Sequence, residues 1–420
     1  MLLGCIADDL TGATDLAIML TRAGMRTLQV MEAPRDGAAF DGFDAIVVAL
    51  KTRTCPVDEA VHLSLASADA LLARGAKQLF FKYCSTFDST NAGNIGPVAD
   101  ALLDRVSGTL ALVCPAFPTN KRTIYMGNLF VGDVPLAESS MKDHPLTPMR
   151  DSSLVRVLQR QTPSKVGLVA YPVVARGTNA VAEAFTAASA RGERFVVVDA
   201  IDDADLIAIG KAAAGHRLIT GGSGVALGLP ANFIAAGLMQ AAAAPATMRA
   251  PAGRAAIIAG SCSDATRGQV AAAKAAGLPA FEVDPMALHA GAHTGRTLAD
   301  WALKQPVDAP VLIYSSADPT AVRRAQEQLG RDEAGSIVER ALADCATHLV
   351  ASGFTRLIVA GGETSGAVVG ALGVKALEIG PEIDPGVPWT RAVGHELVLA
   401  LKSGNFGAPD FFVKAWGKLT

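Results

Sequence analysis

Short β-branched runs alternate with longer alanine-rich amphipathic stretches along the whole chain. That alternation admits few folds, because it is the pattern of βα units wound around a mainly parallel sheet. Strand-like runs fall at 3–7, 45–50, 78–82, 110–114, 166–170, 195–199 and 216–220 in the first half. They resume at 255–259, 311–314 and 357–359, and a later pair at 376–379 and 396–401 reads as an edge hairpin or mixed strands. Helical periodicity fills the gaps at 58–72, 179–190, 265–276, 332–351 and 365–372.

Between the two sets lies AAAAPATMRAPAG at 241–253, an alanine run broken by two prolines and a glycine. Such a segment punctuates a chain, and it predicts two α/β domains at 1–245 and 250–420. Each is expected to be a mainly parallel sheet flanked by helices, and 420 residues suffice for two cores. No internal repeat is visible.

Composition narrows the function. Half the residues are hydrophobic but only 5% are aromatic, and the net charge is -3. No basic excess points to nucleic acid or an anionic membrane surface. The uncharged stretch 218–248 is interrupted by Pro230, Asn232, Gln240 and several glycines, so it reads as a buried loop and helix rather than a membrane span. No secretory pattern opens the sequence. Six scattered cysteines make no CxxC pair and no zinc spacing. Free thiols and a reducing, cytoplasmic compartment are the expectation. Oligomeric state has no signature here.

Polar clusters sit where strands end. The first is Ala7-Asp8-Asp9-Leu10-Thr11-Gly12-Ala13-Thr14-Asp15, which follows a strand and opens a helix. Ligands favour that edge of an open α/β sheet. Paired carboxylates there can hold hydroxyls, bind Mg²⁺ or accept a proton, while one of them can instead cap the helix. The second runs from Lys82 through Asp88-Ser89-Thr90 to Asn94, with the donors and acceptors a polyhydroxylated ligand needs, although an ordinary polar loop has the same composition. Lys51 and Arg53, after another strand, and Lys82 are candidates to pair with an anion. Asn120-Lys121-Arg122-Thr123 and the Met141–Pro145 stretch with His144 are weaker candidates, His144 reading equally as a loop hydrogen-bonder.

The second half has three small-residue turns after strands: Gly260-Ser261-Cys262-Ser263, Gly361-Gly362-Glu363-Thr364, and Lys402-Ser403-Gly404-Asn405-Phe406-Gly407. Glycines let backbone approach a ligand, and free N–H groups at a helix start bind phosphate. Singly each is an ordinary tight turn; together they describe a nucleotide site built from several strand ends. The GxxxxGK[ST] phosphate loop and the protein-kinase motif set are both missing. Gly222-Ser223-Gly224 lacks the third glycine of a dinucleotide fingerprint at its proper place, Gly228 coming one residue late, and it reads as a turn or as part of a domain interface.

IADDLTGATD, FFKYCSTFDSTNAGNIGPV, NLFVGDVPLAESSMKDHPLTPM, GGETSG and LKSGNFG together resemble the four-carbon acid sugar kinase family, most closely its 3-oxo-tetronate branch. The resemblance runs in order over almost the full length. It implies a sugar-binding N-terminal domain and a nucleotide-binding C-terminal domain, with the active site in the cleft between them. It further implies ATP-dependent phosphorylation of the 4-hydroxyl of 3-oxo-tetronate (3-dehydroerythronate), with ATP and Mg²⁺ required, in acid-sugar breakdown. By analogy Ser261, Gly361, Gly362, Glu363, Thr364 and Gly404 contact ATP. The expected substrate contacts are Lys51, Arg53, Lys82, Asp88, Ser89, Thr90 and Asn94. Asp8 or Asp9 is expected to orient or deprotonate the hydroxyl, and no residue is assigned to a metal. Where the wider family can show an arginine, this chain has Asn91-Ala92-Gly93-Asn94. Threonate or erythronate is the alternative substrate, and an NAD(P)-dependent oxidoreductase of a small sugar acid is the alternative class.

Overall fold

The computed structural model describes residues 1–33, 40, 42–144, 146–240, 246–315 and 330–420, and no side-chain detail at 331, 332 and 334. Pro145 and residues 241–245 of the alanine–proline segment lie outside the described residues. The chain divides into two compact units, Met1–Ala244 and Pro245–Thr420.

Among the described residues, the first unit is built on eight parallel strands. Across the sheet they run β2 (Thr27–Val30), β3 (Ala45–Ala49), β1 (Leu3–Ala7), β4 (Gln78–Lys82), β11 (Leu218–Gly221), β5 (Ala111–Cys114), β10 (Phe195–Val198) and β9 (Val166–Val169). Every residue of β1, β3 and β4 is buried, which explains why they read as continuous apolar runs rather than alternating ones. The strand order reverses at β1, with β3 on one side and β4 on the other. In register, Ala7 lies level with Ala49 and Lys82. The segments starting at Asp8, Leu50 and Tyr83 therefore leave the same edge together, at a switch point where α/β sheets bind ligands. A small antiparallel sheet, β6 (Arg122–Tyr125), β7 (Asn128–Val131) and β8 (Val134–Pro135), is inserted after β5.

The second unit runs β13 (Ala280–Glu282), β14 (Val311–Tyr314), β12 (Arg254–Ala259), β15 (Phe354–Ala360), β18 (Val398–Lys402), β17 (Val387–Ala392) and β16 (Ala376–Asp384). The first five are parallel, and β17 runs antiparallel to both of its neighbours, β18 and β16. Trp389 anchors the core of this half among Ile358, Val398, Phe411 and Phe412, and its indole N–H donates to Ala415 O at 2.8 Å. Burying an aromatic of this size requires that polar handle to be satisfied.

Each half is thus a sheet flanked by helices, the expected α/β class. The strand-like pair at 376–379 and 396–401 is two members of a mixed set whose middle strand, β17, the sequence hid. Pro388 within it argues against a central strand, Pro381 interrupts its neighbour β16, and the β16–β17 register shifts there through an irregularity. The uncharged stretch begins as β11, then forms a 3₁₀ helix at Ser223–Gly228 and a helix at Pro230–Ala235. Among the described residues no helix is long and apolar enough to cross a membrane. All six cysteines are free thiols.

Candidate active site

At the carboxyl edge of β1, backbone bonding fixes Asp8 before its side chain is considered. Its N–H donates to Lys82 O at 3.0 Å, and its carbonyl accepts from Thr52 N at 2.9 Å. This pins the segment after β3 against β1 and brings Arg53 over the paired aspartates. Arg53 Nε donates to Asp8 Oδ2 at 2.9 Å and Nη2 to Oδ1 at 2.8 Å, a two-pronged fork. Nη2 also lies 2.9 Å from Asp9 Oδ1, and Nη1 lies 3.9 Å from Asp88 Oδ2. Three carboxylates therefore converge on one guanidinium.

Burial pushes the Asp8 carboxyl up, and the Arg53 charge opposes that push. Burial also works to discharge Arg53, but Asp8 and Asp9 overcome it and hold the guanidinium cationic. The two aspartates differ in access. Asp8 is 6% exposed at its side chain, Asp9 31%. Asp9 is also the N-cap of the helix Leu10–Arg22, accepting from Gly12 N at 2.9 Å. Gly12 is needed there: a Cβ would sit 2.4 Å from Asp9 Oδ1 and 2.9 Å from Lys82 Nζ. Lys82 is buried, its ammonium donating to Tyr83 O at 2.7 Å.

Phe87 and Asp88 are consecutive non-glycine residues with left-handed backbone, at φ 67° and 44°. A bulky residue there is strained. Burial of Phe87 and the Thr86 Oγ1 bond to Asp88 Oδ1, 2.7 Å, hold the turn and aim Asp88 towards Arg53. Asp8, Thr52, Arg53, Asp88, Ser89 and Asn94 line one small pocket, floored by Phe81, Ile95 and Val98. Asn94 Nδ2 donates to Thr52 O and Cys55 O, at 2.7 and 2.9 Å, so it braces the Arg53 segment. Lys51 is exposed and outside the pocket lining. His144 Nδ1 sits 3.0 Å from Thr147 Oγ1 and accepts from Thr147 N at 3.2 Å, the loop-bonding reading.

One contributor, Gln161, escaped the sequence reading, and a second, Asp15, stood in the first cluster without a role of its own. Gln161 Nε2 donates to Ser89 Oγ at 3.0 Å, and also to Thr90 O, while its Oε1 accepts from Gly96 N at 2.9 Å. Gln161 thus holds the Ser89–Gly96 loop from 65 residues beyond it in sequence, with no local motif. Asp15 accepts from Ser223 Oγ. Burial pushes its carboxyl up while the Lys82 charge opposes this. Ser223, read as a turn residue, ties the β11 end to the first helix.

In the second unit the three small-residue turns come from adjacent parallel strands, β12, β15 and β18. Ser261 N and Gly260 N donate to Ala360 O, and Gly361 N donates to Lys402 O at 2.9 Å, so the turns are stitched together. Gly361 has φ 128°, and a Cβ on Gly260 would lie 2.3 Å from Thr364 Oγ1. A Cβ on Gly404 would lie 2.3 Å from Ser261 Oγ. Ser261, Thr364 and Gly404 thus meet at one edge, with Gly362 and Glu363 exposed in the first turn of the helix Gly362–Ala371. That helix has no side-chain cap, and uncapped first-turn N–H groups are donors for an anion. Beneath them lies Lys402, which the sequence reading quoted only as part of a turn.

Residues 3–229 match the family described as the sugar-binding N-terminal domain, and 256–412 the nucleotide-binding C-terminal domain. A 3-oxo-tetronate kinase of Burkholderia multivorans is 56% identical, over 99% of this chain and 96% of that protein. The chain belongs to the 3-oxo-tetronate kinase family. A family member from Cupriavidus necator is 54% identical over 100% of this chain and 97% of its own length. The crystal structure of Haemophilus influenzae protein HI1011 superposes with a TM-score of 0.89 at 41% identity, covering 99% of this chain and 100% of that one. Kinase relatives and a nucleotide-binding half make the chain a phosphotransferase and exclude the oxidoreductase alternative.

Proposed function

We propose that the chain transfers the γ-phosphoryl group of ATP to the 4-hydroxyl of 3-oxo-tetronate, giving the 4-phosphate. Full-length similarity to 3-oxo-tetronate kinases carries this reading. It is supported by a hydroxyl-handling cluster in the half that matches a sugar-binding domain, and glycine turns in the half that matches a nucleotide-binding domain.

Phosphoryl transfer asks for positioning and charge neutralisation rather than covalent chemistry. Asp9, the more exposed carboxylate, accepts the proton of the attacking hydroxyl. Asp8 and Asp88 are held against Arg53 and fix its orientation, while Ser89 offers a hydroxyl in the pocket wall. Ser261, the Gly361–Thr364 turn and Gly404 receive the nucleotide's phosphates through backbone and hydroxyl donors.

Mg²⁺ would neutralise phosphate charge. Among the described residues no three His, Cys, Asp or Glu side chains group as metal ligands, and Arg53 fills the centre of the acidic cluster. That fits a Mg²⁺ carried mainly by phosphate oxygens and water, with one or two carboxylates at most.

The test is a coupled ADP-release assay with Mg-ATP against 3-oxo-tetronates of both configurations, threonate and erythronate. Turnover confined to the oxo-acids is expected. Turnover on threonate or erythronate alone would keep the kinase and replace the substrate; no ADP release with any of them would overturn the proposal.

A further inference from the structure

Lys402 ends β18 and is 1% exposed, yet among the described residues no carboxylate is one of its hydrogen-bond partners. Its ammonium donates to Thr266 Oγ1 at 2.9 Å and to Ser403 O and Gly404 O at 3.1 Å each. Burying a cation without a counter-charge is unfavourable, and such groups are kept where something uses them. The oxygen set around it is itself organised. Gly404 O accepts from three donors: Ser263 Oγ at 2.6 Å, Thr266 Oγ1 at 2.9 Å and Lys402 Nζ. Since C=O and N–H point opposite ways across a trans peptide, this clamp turns the Asn405 N–H away from the ammonium. The same hydroxyls continue to Ser261, whose Oγ donates to Ser263 Oγ at 3.2 Å.

We infer that Lys402 is a positioning residue of the nucleotide site: it clamps the Gly404 peptide so that its N–H faces the phosphates, and its buried charge attracts them. This rests on the nucleotide reading of the three turns and deepens it. The missing counter-charge is then the triphosphate itself. A buried ammonium acts on a nearby anion with far less screening than a surface lysine.

Desolvation by burial lowers Lys402 to about 8, so the clamp loses its charge within an accessible range. The ionisable residues on the packed elements are engaged elsewhere or point outward. On the helix Asp264–Ala275, Asp264 pairs with Arg267, and Lys274 donates to Tyr314 Oη. Glu363 on the helix Gly362–Ala371 is exposed; Arg356 on β15 donates to Gly253 O, and Arg391 on β17 to Arg249 O.

Calorimetric titration of the full chain and Lys402→Met with ATP, ADP and adenosine tests this. ATP and ADP should weaken on the order of 10–100-fold, as for loss of a charged hydrogen-bonding group, while adenosine changes less than about threefold and the KM for the acid sugar stays put. Equal weakening of adenosine would leave Lys402 a purely structural role and overturn the inference, as would unchanged ATP affinity. Should Lys402→Met fail to fold, the unmodified chain decides: ATP affinity should fall between pH 7.5 and 9.5 with adenosine flat, and a flat ATP affinity overturns it. An unmodified chain that binds no ATP sinks the nucleotide reading as well, which separates the two failures.

Discussion

Arg53 meets Asp8 edge-on, Nε to Oδ2 at 2.9 Å and Nη2 to Oδ1 at 2.8 Å, and the same guanidinium reaches Asp9 and Asp88. Asp8 is placed by backbone bonds from two neighbouring strand ends, so the fork carries the geometry of the sheet edge into the pocket. One guanidinium with planar, spread donors can serve three carboxylates at once; a lysine's compact ammonium cannot.

Arg53→Lys should therefore abolish most turnover although charge is conserved. A fall of about 10²-fold or more in kcat/KM for the acid sugar is expected, with KM for ATP unchanged, because misplacement of the cluster loses orientation. Steady-state kinetics with each substrate varied in turn checks it. An Arg53→Lys enzyme of near-normal kcat/KM contradicts the role of the fork.

The two aspartates should separate by what they lose. Asp9→Asn keeps a side-chain oxygen for capping Gly12 N and should lower kcat by on the order of 10²–10⁴ with little change in Tm. Asp8→Asn removes the buried carboxylate from the fork and should lower both activity and Tm, since a buried charge left without its partner is strongly unfavourable. Thermal unfolding beside kcat tells them apart, and the reverse pattern would exchange their roles.

Gly404→Ala should act on the nucleotide alone. Its new Cβ would meet Ser261 Oγ at 2.3 Å, forcing either the turn or the serine to move. The KM for ATP should rise about tenfold or more, with KM for the acid sugar unaffected. Equal effects on both substrates would place Gly404 outside a nucleotide-specific role.

What the sequence disclosed and what it concealed follow from locality. Runs such as LGCIA and QLFFK are buried on both faces, so composition alone exposes them. The Thr27–Val30 strand is four residues long and carries a buried Gln29, whose Oε1 accepts from Thr14 Oγ1 at 2.9 Å. A buried polar side chain whose partner lies that far away in sequence hides a strand. The same holds at the sites. Asp8, Asp9 and Asp88 are legible as acids at strand ends, but their convergence on Arg53 depends on strand order. Gln161 belongs to no motif, and Lys402 stands in LKSGNFG without a visible role, because what they do depends on partners that only the fold supplies.

Lys402 also leaves a signature in folding. Its folded-state pKa of about 8 lies below the 10.5 of a free lysine, because burial disfavours the charge. Between those values the unfolded chain binds a proton that the folded chain does not, so this group makes stability rise with pH across roughly pH 8 to 10.5. Below that window the buried charge works against the fold; above it the penalty is gone. Other groups titrate in the same range, so the comparison has to be with Lys402→Met, which shares all of them. Urea unfolding of both proteins without nucleotide at pH 7.5 and 9.5 should show the unmodified chain gaining stability relative to the variant at the higher pH. A difference that does not change, or that moves the other way, would mean that Lys402 is not a desolvated cation in the folded protein, and the electrostatic half of its proposed role would go with it.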